Sequence, residues 1–253
     1  MPEKRVTAAV LLIGDELLSG RTQDINLQTI AKFLAPLGVQ VAEARIVADV
    51  PEAIIGAVNQ LRVTYDYVFT TGGIGPTHDD KTADCVAAAF GVGIDVRADA
   101  LTVIAAHYKG VANLNPARLR MARIPDGASL IANPVSRAPG FQLGNVFVLA
   151  GVPSIMRGML DDIGQRIVGG AVVRAFTVRG KNVREGDIAA GLQALDQAAP
   201  AVTFGSYPWF TPEGYGTHLV ARSADPAALA KAGEDMKALI RDKGGDPEVV
   251  ESA

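Results

Sequence analysis

The sequence predicts an α/β protein: a three-layer α/β/α domain with a mostly parallel sheet, followed by a small α+β satellite domain. Three observations predict it. Apolar, strand-like runs alternate with segments of helical period over the first two thirds of the chain; polar or glycine-rich loops follow those runs; and a second, shorter set of elements begins after Gly169-Gly170. The expected domains are residues 1–168 and 169–253. The first strand is Ala8 to Ile13, uninterruptedly apolar as a buried strand requires. Leu27, Ile30, Ala31 and Leu34 recur at helical spacing, with Gly38 as the stop. Val39 to Val47 is the next strand, after which Asp49 and Glu52 stand at capping-box spacing before the helix of Ile54, Ile55, Val58 and Leu61. Tyr67 to Thr71 is the third strand, and Asp80 to Phe90 the helix after it, ended by Gly91.

Beyond Ile94 the pattern predicts a helix at Leu101 to Tyr108 and a short strand at Ser129 to Ile131. It then predicts a hairpin at a sheet edge, Phe141-Gln142-Leu143 facing Val146-Phe147-Val148 across Gly144-Asn145. Ile155, Met159, Ile163 and Ile167 mark one more helix. The satellite reads as βαββα: strand Ala171 to Val178, helix Glu185 to Leu195, strands Val202 to Ser206 and His218 to Ala221, and helix Pro226 to Lys243.

Composition narrows the function classes. With 49% hydrophobic residues the chain can bury a core, and a single cysteine forms no internal disulfide, Cys-based zinc site or iron–sulfur cluster. That suits a reducing compartment. Twenty-four basic against 27 acidic residues leave a net charge of −3, which provides no basic footprint for a nucleic-acid duplex or an anionic membrane. The N-terminus, Met1-Pro2-Glu3-Lys4-Arg5, runs into an apolar stretch far short of the ~20 residues of a membrane span, with no small-residue cleavage signal after it. The expectation is a cytoplasmic protein with neither nucleic-acid nor membrane partners. Backbone amides must then do much of the work of holding any phosphorylated ligand.

The strongest local signal is Thr70-Thr71-Gly72-Gly73-Ile74-Gly75-Pro76-Thr77-His78-Asp79-Asp80-Lys81-Thr82, between a strand and a helix. Glycines there let successive N–H groups converge on an anion, and the helix N-terminus adds its positive end. A plain glycine-rich turn with Asp80 as N-cap accounts for part of it, but one cap needs one carboxylate and two stand together. A second constellation, Gly14-Asp15-Glu16-Leu17-Leu18-Ser19-Gly20 with Asp24 and Asn26, follows the first strand and so reaches the same sheet edge. Carboxylates beside a phosphate cradle imply a bridging divalent cation; alternatively Asp24 only caps the next helix while Asp15 and Glu16 are solvated. Asp49 is either a cap or a third carboxylate at this edge. Asn133-Pro134-Val135-Ser136-Arg137-Ala138-Pro139-Gly140-Phe141 and Gly151-Val152-Pro153-Ser154 complete four loops best explained as one ligand rim. No GxxxxGK[ST], GxGxxG or Gly-x-Ser-x-Gly pattern occurs, which argues against P-loop, dinucleotide-dehydrogenase and serine-hydrolase readings.

Together these segments resemble the molybdopterin-binding domain family, which includes the competence/damage-inducible protein A type and molybdenum-cofactor biosynthesis proteins. The resemblance covers about Val6 to Ile167 and implies the three-layer fold, a pterin or nucleotide pocket with phosphates on the glycine loop, and an essential aspartate at Asp80 supported by Asp49. Ligand contacts are expected from Gly14, Asp15, Glu16, Asp24, Asn26, Thr71, Gly72, Gly73, Gly75, Pro76, Thr77, Asp79, Thr82, Ser136, Pro139, Gly140, Gly151, Pro153 and Ser154. A divalent metal (Mg²⁺, Mn²⁺ or Co²⁺) is expected at Asp80 and Glu16, with molybdopterin as a possible ligand. In the second domain Val183-Arg184-Glu185-Gly186-Asp187 shares only Glu185 with the competence-type Gly-x-Gly-Glu-Ser segment. With Gly205-Ser206-Tyr207-Pro208 it is more similar to the molybdopterin-binding-like domain of FAD synthases.

The resemblance implies a metal-dependent nucleotide pyrophosphatase acting on ADP-ribose- or FAD-like diphosphates. Molybdopterin binding or adenylylation, or non-catalytic ligand sensing, stay open beside it. It also implies a homo-oligomer, dimer or trimer, and a length that leaves no room for the further catalytic domains of longer relatives. His78 is read as solvated, Cys85 as a buried small hydrophobe, and His107 and His218 as lacking zinc-ligand partners. Tyr207, Trp209 and Phe210 are read as core or interface aromatics, because without basic neighbours they make no base-stacking platform.

Overall fold

The computed structural model describes residues 5–212 and 214–250; the segment Met1 to Lys4 lies outside them. The chain divides into two units, Met1–Gly170 and Ala171–Ala253.

Unit 1 contains, in order, β1 (Val6–Ile13), α1 (Asp15–Leu18), α2 (Asn26–Leu34), β2 (Val39–Val47), α3 (Pro51–Thr64), β3 (Tyr67–Thr71), α4 (Thr82–Phe90), β4 (Ile94–Val96), α5 (Ala98–His107), α6 (Pro116–Arg120), β5 (Arg123–Pro125), β6 (Ser129–Ile131), β7 (Gly140–Leu143), β8 (Val146–Leu149) and α7 (Pro153–Ile163). The main sheet runs β2-β1-β3-β8-β7-β6. Its first four strands are parallel neighbours, whereas β7 is antiparallel to both β8 and β6. The three-layer, mostly parallel architecture is therefore as the sequence predicts. The β7–β8 hairpin is not at the edge: β8 pairs with β3, and Ser129–Ile131 adds outside β7. A three-residue strand pairing across an eight-residue gap leaves no local pattern that would announce this.

The sheet is covered on both faces. One core layer packs Leu11, Val68 and Val148 against Ile54, Val58, Leu61 and Val86, from α3 and α4. The other packs Val10, Phe69 and Phe147 against Ile30, Leu34, Met156 and Met159, from α2 and α7. This double burial is why β1 reads as an apolar run, not as an alternation. Cys85 is buried in the first layer as expected, and burial pushes its thiol up to about 11. Among the described residues no helix is long and apolar enough to cross a membrane.

Two helix starts differ from the sequence reading. α3 begins at Pro51 with no side-chain cap; proline's fixed φ suits the first helical position, and Asp49 is engaged elsewhere. α4 begins at Thr82, not Asp80, with Lys81 at its N-cap and no side-chain cap bond. Unit 2 contains β9 (Arg174–Lys181), α8 (Glu185–Ala198), β10 (Thr203–Thr211), β11 (Gly214–Ser223), α9 (Pro226–Asp242) and β12 (Asp246–Val250), in an antiparallel sheet ordered β10-β11-β9-β12. β12 extends the expected βαββα pattern to βαββαβ. Its polar Asp-Pro-Glu opening conceals it in the sequence, and proline is tolerated because the strand is an edge.

Phe69 and Phe147 stack at a 4.9 Å centroid distance, both fully buried. Phe147→Ala should cost about 3–5 kcal/mol, read as a shift in the urea midpoint of unit 1 secondary structure.

Candidate functional site

Parallel pairing decides where the site lies. β1, β2, β3 and β8 end on one edge of the sheet, and β6, antiparallel to β7, ends there too. The loops after all five therefore gather at that edge. The chain leaves β1 for β2 on one side and returns to β3 on the other, so the crevice between β1 and β3 is a topological switch point, where open α/β sheets bind ligands.

A cavity of about 610 Å³ opens there. Gly14, Glu16 and Asp49 line it from the β1 and β2 loops; Gly72, Gly73, Gly75, Pro76, Asp79 and Asp80 from the β3 loop; and Ser136, Gly151 and Pro153 from the β6 and β8 loops. An adjoining chamber of about 60 Å³ takes in Asp24, Asn26 and Thr71 together with Glu16, Gly151 and Pro153. Asn26 is 5% exposed; its Nδ2 donates to the Gly151 carbonyl at 2.8 Å, tying α2 to the loop after β8. Asp24 accepts from the Asn26 and Leu27 amides at 3.2 and 3.0 Å, so it caps α2 as well as facing the chamber. Pro139 lies behind the main wall, in a gap of about 20 Å³ that also reaches Asp80.

Besides Pro139, five of the residues expected to contact ligand line neither the main cavity nor the adjoining chamber. Asp15 instead gives its amide to Asp49 Oδ2 at 3.0 Å. Thr77 donates its amide at 2.8 Å, and its hydroxyl, to Asp80 Oδ2. Thr82 is fully buried and its hydroxyl donates to the Gly72 carbonyl at 2.8 Å. Gly140 is a buried strand residue against the Val148 carbonyl, and Ser154 points to solvent in the first turn of α7. His78 is solvated, with its side chain 99% exposed.

The glycine loop is shaped by close approach. Gly72 has φ +102°, and a Cβ there would sit 2.2 Å from the Ile13 carbonyl oxygen. Gly73 has φ +67°, and its Cβ would meet Thr82 Oγ1 at 2.2 Å. Neither position admits a side chain without moving β1 or α4. The loop then folds back so that the Asp80 carboxylate lies over Gly75, while Arg120 donates two bonds to the Asp80 carbonyl at 2.8 and 3.3 Å. Asp80 is thereby held at the cavity wall, free of the α4 N-cap.

Several wall residues escape the sequence reading. Tyr108 and Met121 come from the ends of α5 and α6, far from any glycine loop, and nothing local marks them. Asn133 had a signal, its place in a run of turn formers. It is 4% exposed, accepts from the Val135 and Ser136 amides at 3.0 and 3.1 Å, and donates to Ser136 Oγ and the Ala138 carbonyl, fixing that loop as a tight turn.

The cavity wall carries four carboxylates, Glu16, Asp49, Asp79 and Asp80, and among the described residues no Lys or Arg. Burial, then the negative charges of Asp15, Glu16 and Asp79, push the Asp49 carboxyl above its ordinary value, against the opposing pull of the Asp15 amide.

Residues 9–169 match the model of the probable molybdopterin binding domain. The chain belongs to that family. This molybdopterin-binding domain is followed, over residues 180–247, by a match to the middle domain of FAD synthase. A CinA-like protein of Geobacter metallireducens is 34% identical over 250 residues, 94% of this chain but 59% of its own length. A protein of Aeropyrum pernix is 33% identical over 259 residues, 98% of this chain and 96% of its own. Among solved structures, the protein CinA, of unknown function, from Thermoplasma acidophilum matches with a TM-score of 0.61 and 36% identity, covering 64% of this chain and 99% of that one.

Two predictions follow from the geometry of the molybdopterin-binding domain. Gly72→Ala should destabilise by at least about 1–3 kcal/mol, read by chemical denaturation, because its Cβ meets backbone. For Asp49 the folded-state pKa lies above the unfolded one, so its contribution to stability is complete at low pH and lost as pH rises through the carboxylate range. Asp49→Asn should thus raise Tm at pH 7, with the difference closing below about pH 4, as followed by thermal melts.

Proposed function

We propose that the cavity binds a pterin or adenine-nucleotide diphosphate and that the protein is a divalent-metal-dependent nucleotide pyrophosphatase acting on ADP-ribose- or FAD-like diphosphates. The observation that carries this reading is the meeting of the Gly72–Gly75 loop and four carboxylates on one wall, with no lysine or arginine lining it. A diphosphate seated on the glycine loop would be repelled by those carboxylates unless a cation lay between them. Among the described residues no group of three or more His, Cys, Asp or Glu side chains could hold a metal on its own. The donor set suits a cation shared with phosphate oxygens, which is how Mg²⁺ is commonly held, with one or two carboxylates and the substrate completing its shell. Asp80 and Glu16 would hold it, and it would neutralise charge building on the phosphoryl oxygens.

The chain's own groups divide the remaining work. Loop amides orient the diphosphate, and the apolar wall of Ile74, Met121 and Ile155 excludes water from the ring side. A water oxygen bonds to the adenylate phosphorus, the bond from that phosphorus to the bridging oxygen breaks, and the departing phosphate keeps the electron pair. Asp49, which binds a proton more readily than an ordinary carboxylate, accepts the proton of the water.

The test is incubation of the protein with ADP-ribose, FAD and NAD in Mg²⁺, Mn²⁺ or Co²⁺, measuring AMP. Metal-dependent AMP release should appear with at least one pair and be abolished by Asp80→Asn. The melting temperature should be nearly unchanged in that variant, since Asp80 does not cap α4. No AMP from any pair overturns the pyrophosphatase reading. The family match over residues 9–169 favours a second reading, molybdopterin binding without hydrolysis, and saturable pterin binding without turnover would support it.

A further inference from the structure

The sheet of unit 2 has two unlike faces. α8 and α9 cover one, where Val178, Leu219 and Ala221 pack on Ile188, Met236 and Ile240. Strand alternation turns the intervening residues to the other face. There the register sets Tyr207, His218 and Arg179 side by side across β10, β11 and β9, and Trp209, Gly216 and Lys181 in the next row. Arg222, farther along β11 on the same face, donates to the Tyr207 hydroxyl at 3.2 Å. The Arg179 guanidinium lies 4.1 Å from the Trp209 ring centre. The indole sits directly over the β11 backbone, because a Cβ on Gly216 would come within 2.7 Å of it. Basic neighbours absent in sequence are thus supplied across strands.

We propose that this face binds single-stranded nucleic acid, with phosphates at Arg179 and Arg222 and a base stacked on the exposed ring of Tyr207, beside the Trp209 indole that Arg179 already covers. Aromatic rings interleaved with cations on an open sheet are the chemistry such strands require, since every base offers a ring face and every linkage a charge. Tyr207 is 48% exposed. A cavity of about 460 Å³ runs beside Arg179, Lys181 and Trp209. Arg179 Nε and Trp209 Nε1 are buried without an acceptor among the described residues. Lys181 is ion-paired at 3.3 Å to Glu248, which the β12 register sets opposite Arg179. Ala175, opposite Arg222, and Lys181 lie about 20 Å apart along β9 at ~3.3 Å per residue. That track is longer than one mononucleotide and fits about three nucleotides of a single strand. The whole-chain charge of −3 averages over this patch and does not describe it.

Trp209 is the chain's only tryptophan, so its emission reports on this face alone. Titration of the full chain with ten-nucleotide oligothymidylate should quench it saturably, with a log–log salt slope of about −1.4 for two phosphate contacts. The same strand in duplex, and AMP, should bind at least tenfold more weakly. Tyr207→Ala and Arg179→Gln should each weaken binding about tenfold, measured by anisotropy of a labelled strand, with unchanged circular dichroism. Absence of quenching, equal binding of duplex or AMP, or binding that survives both substitutions would overturn the proposal.

Discussion

The feature on which unit 1 depends is the convergence of three strand ends on Gly72. Its α-carbon is pressed between the end of β1, where the Ile13 carbonyl leaves no room for a Cβ, and the loop after β8, where a Cβ on Gly151 would come within 3.2 Å of it. Its amide donates to the Leu149 carbonyl at 3.2 Å, and its carbonyl accepts the Thr82 hydroxyl at the start of α4. One residue without a side chain therefore locks β1, β3, β8 and α4 into a common corner. The loops that leave this corner have little freedom, and the cavity is what lies between them.

Electrostatics follows from that packing. Bringing the β1, β2 and β3 loops together places Glu16, Asp49, Asp79 and Asp80 on one wall, and Asp49 carries the consequence in its raised affinity for a proton. Arg120 approaches from behind the wall, on the Asp80 carbonyl. A site built this way is poor for a bare anion and well suited to an anion that arrives with a cation.

Unit 2 solves a different problem. A four-stranded antiparallel sheet with two helices buries one face only, so the alternate residues of β9, β10 and β11 need not be apolar. They include Arg179, Lys181, Tyr207, Trp209 and Arg222, and the cross-strand register, not the order of residues, makes neighbours of Arg179, Tyr207 and Trp209.

The fold class and the gathering of the glycine loops were legible in the sequence because both rest on local periodicity: apolar runs, helical spacing, and loops that must follow parallel strands to one edge. The roles of individual polar residues were not. Asp80 and Asp49 stand at positions where a cap would serve equally well, and only the tertiary structure shows Asp80 bonded to Thr77 and Asp49 to the Asp15 amide. Thr82 looks like a ligand contact until its hydroxyl is found buried on Gly72, and Ser129–Ile131 looks like an isolated strand until it pairs with β7. Tyr108 and Met121 enter the cavity from helices that carry no motif. The sequence by itself thus determined which segments become strands and helices and which loops share an edge. Which side chain faces the cavity, and which cation sits beside which ring, was decided by contacts between residues distant in the chain, because a hydrogen bond or a steric limit from another strand leaves no periodic trace in either partner.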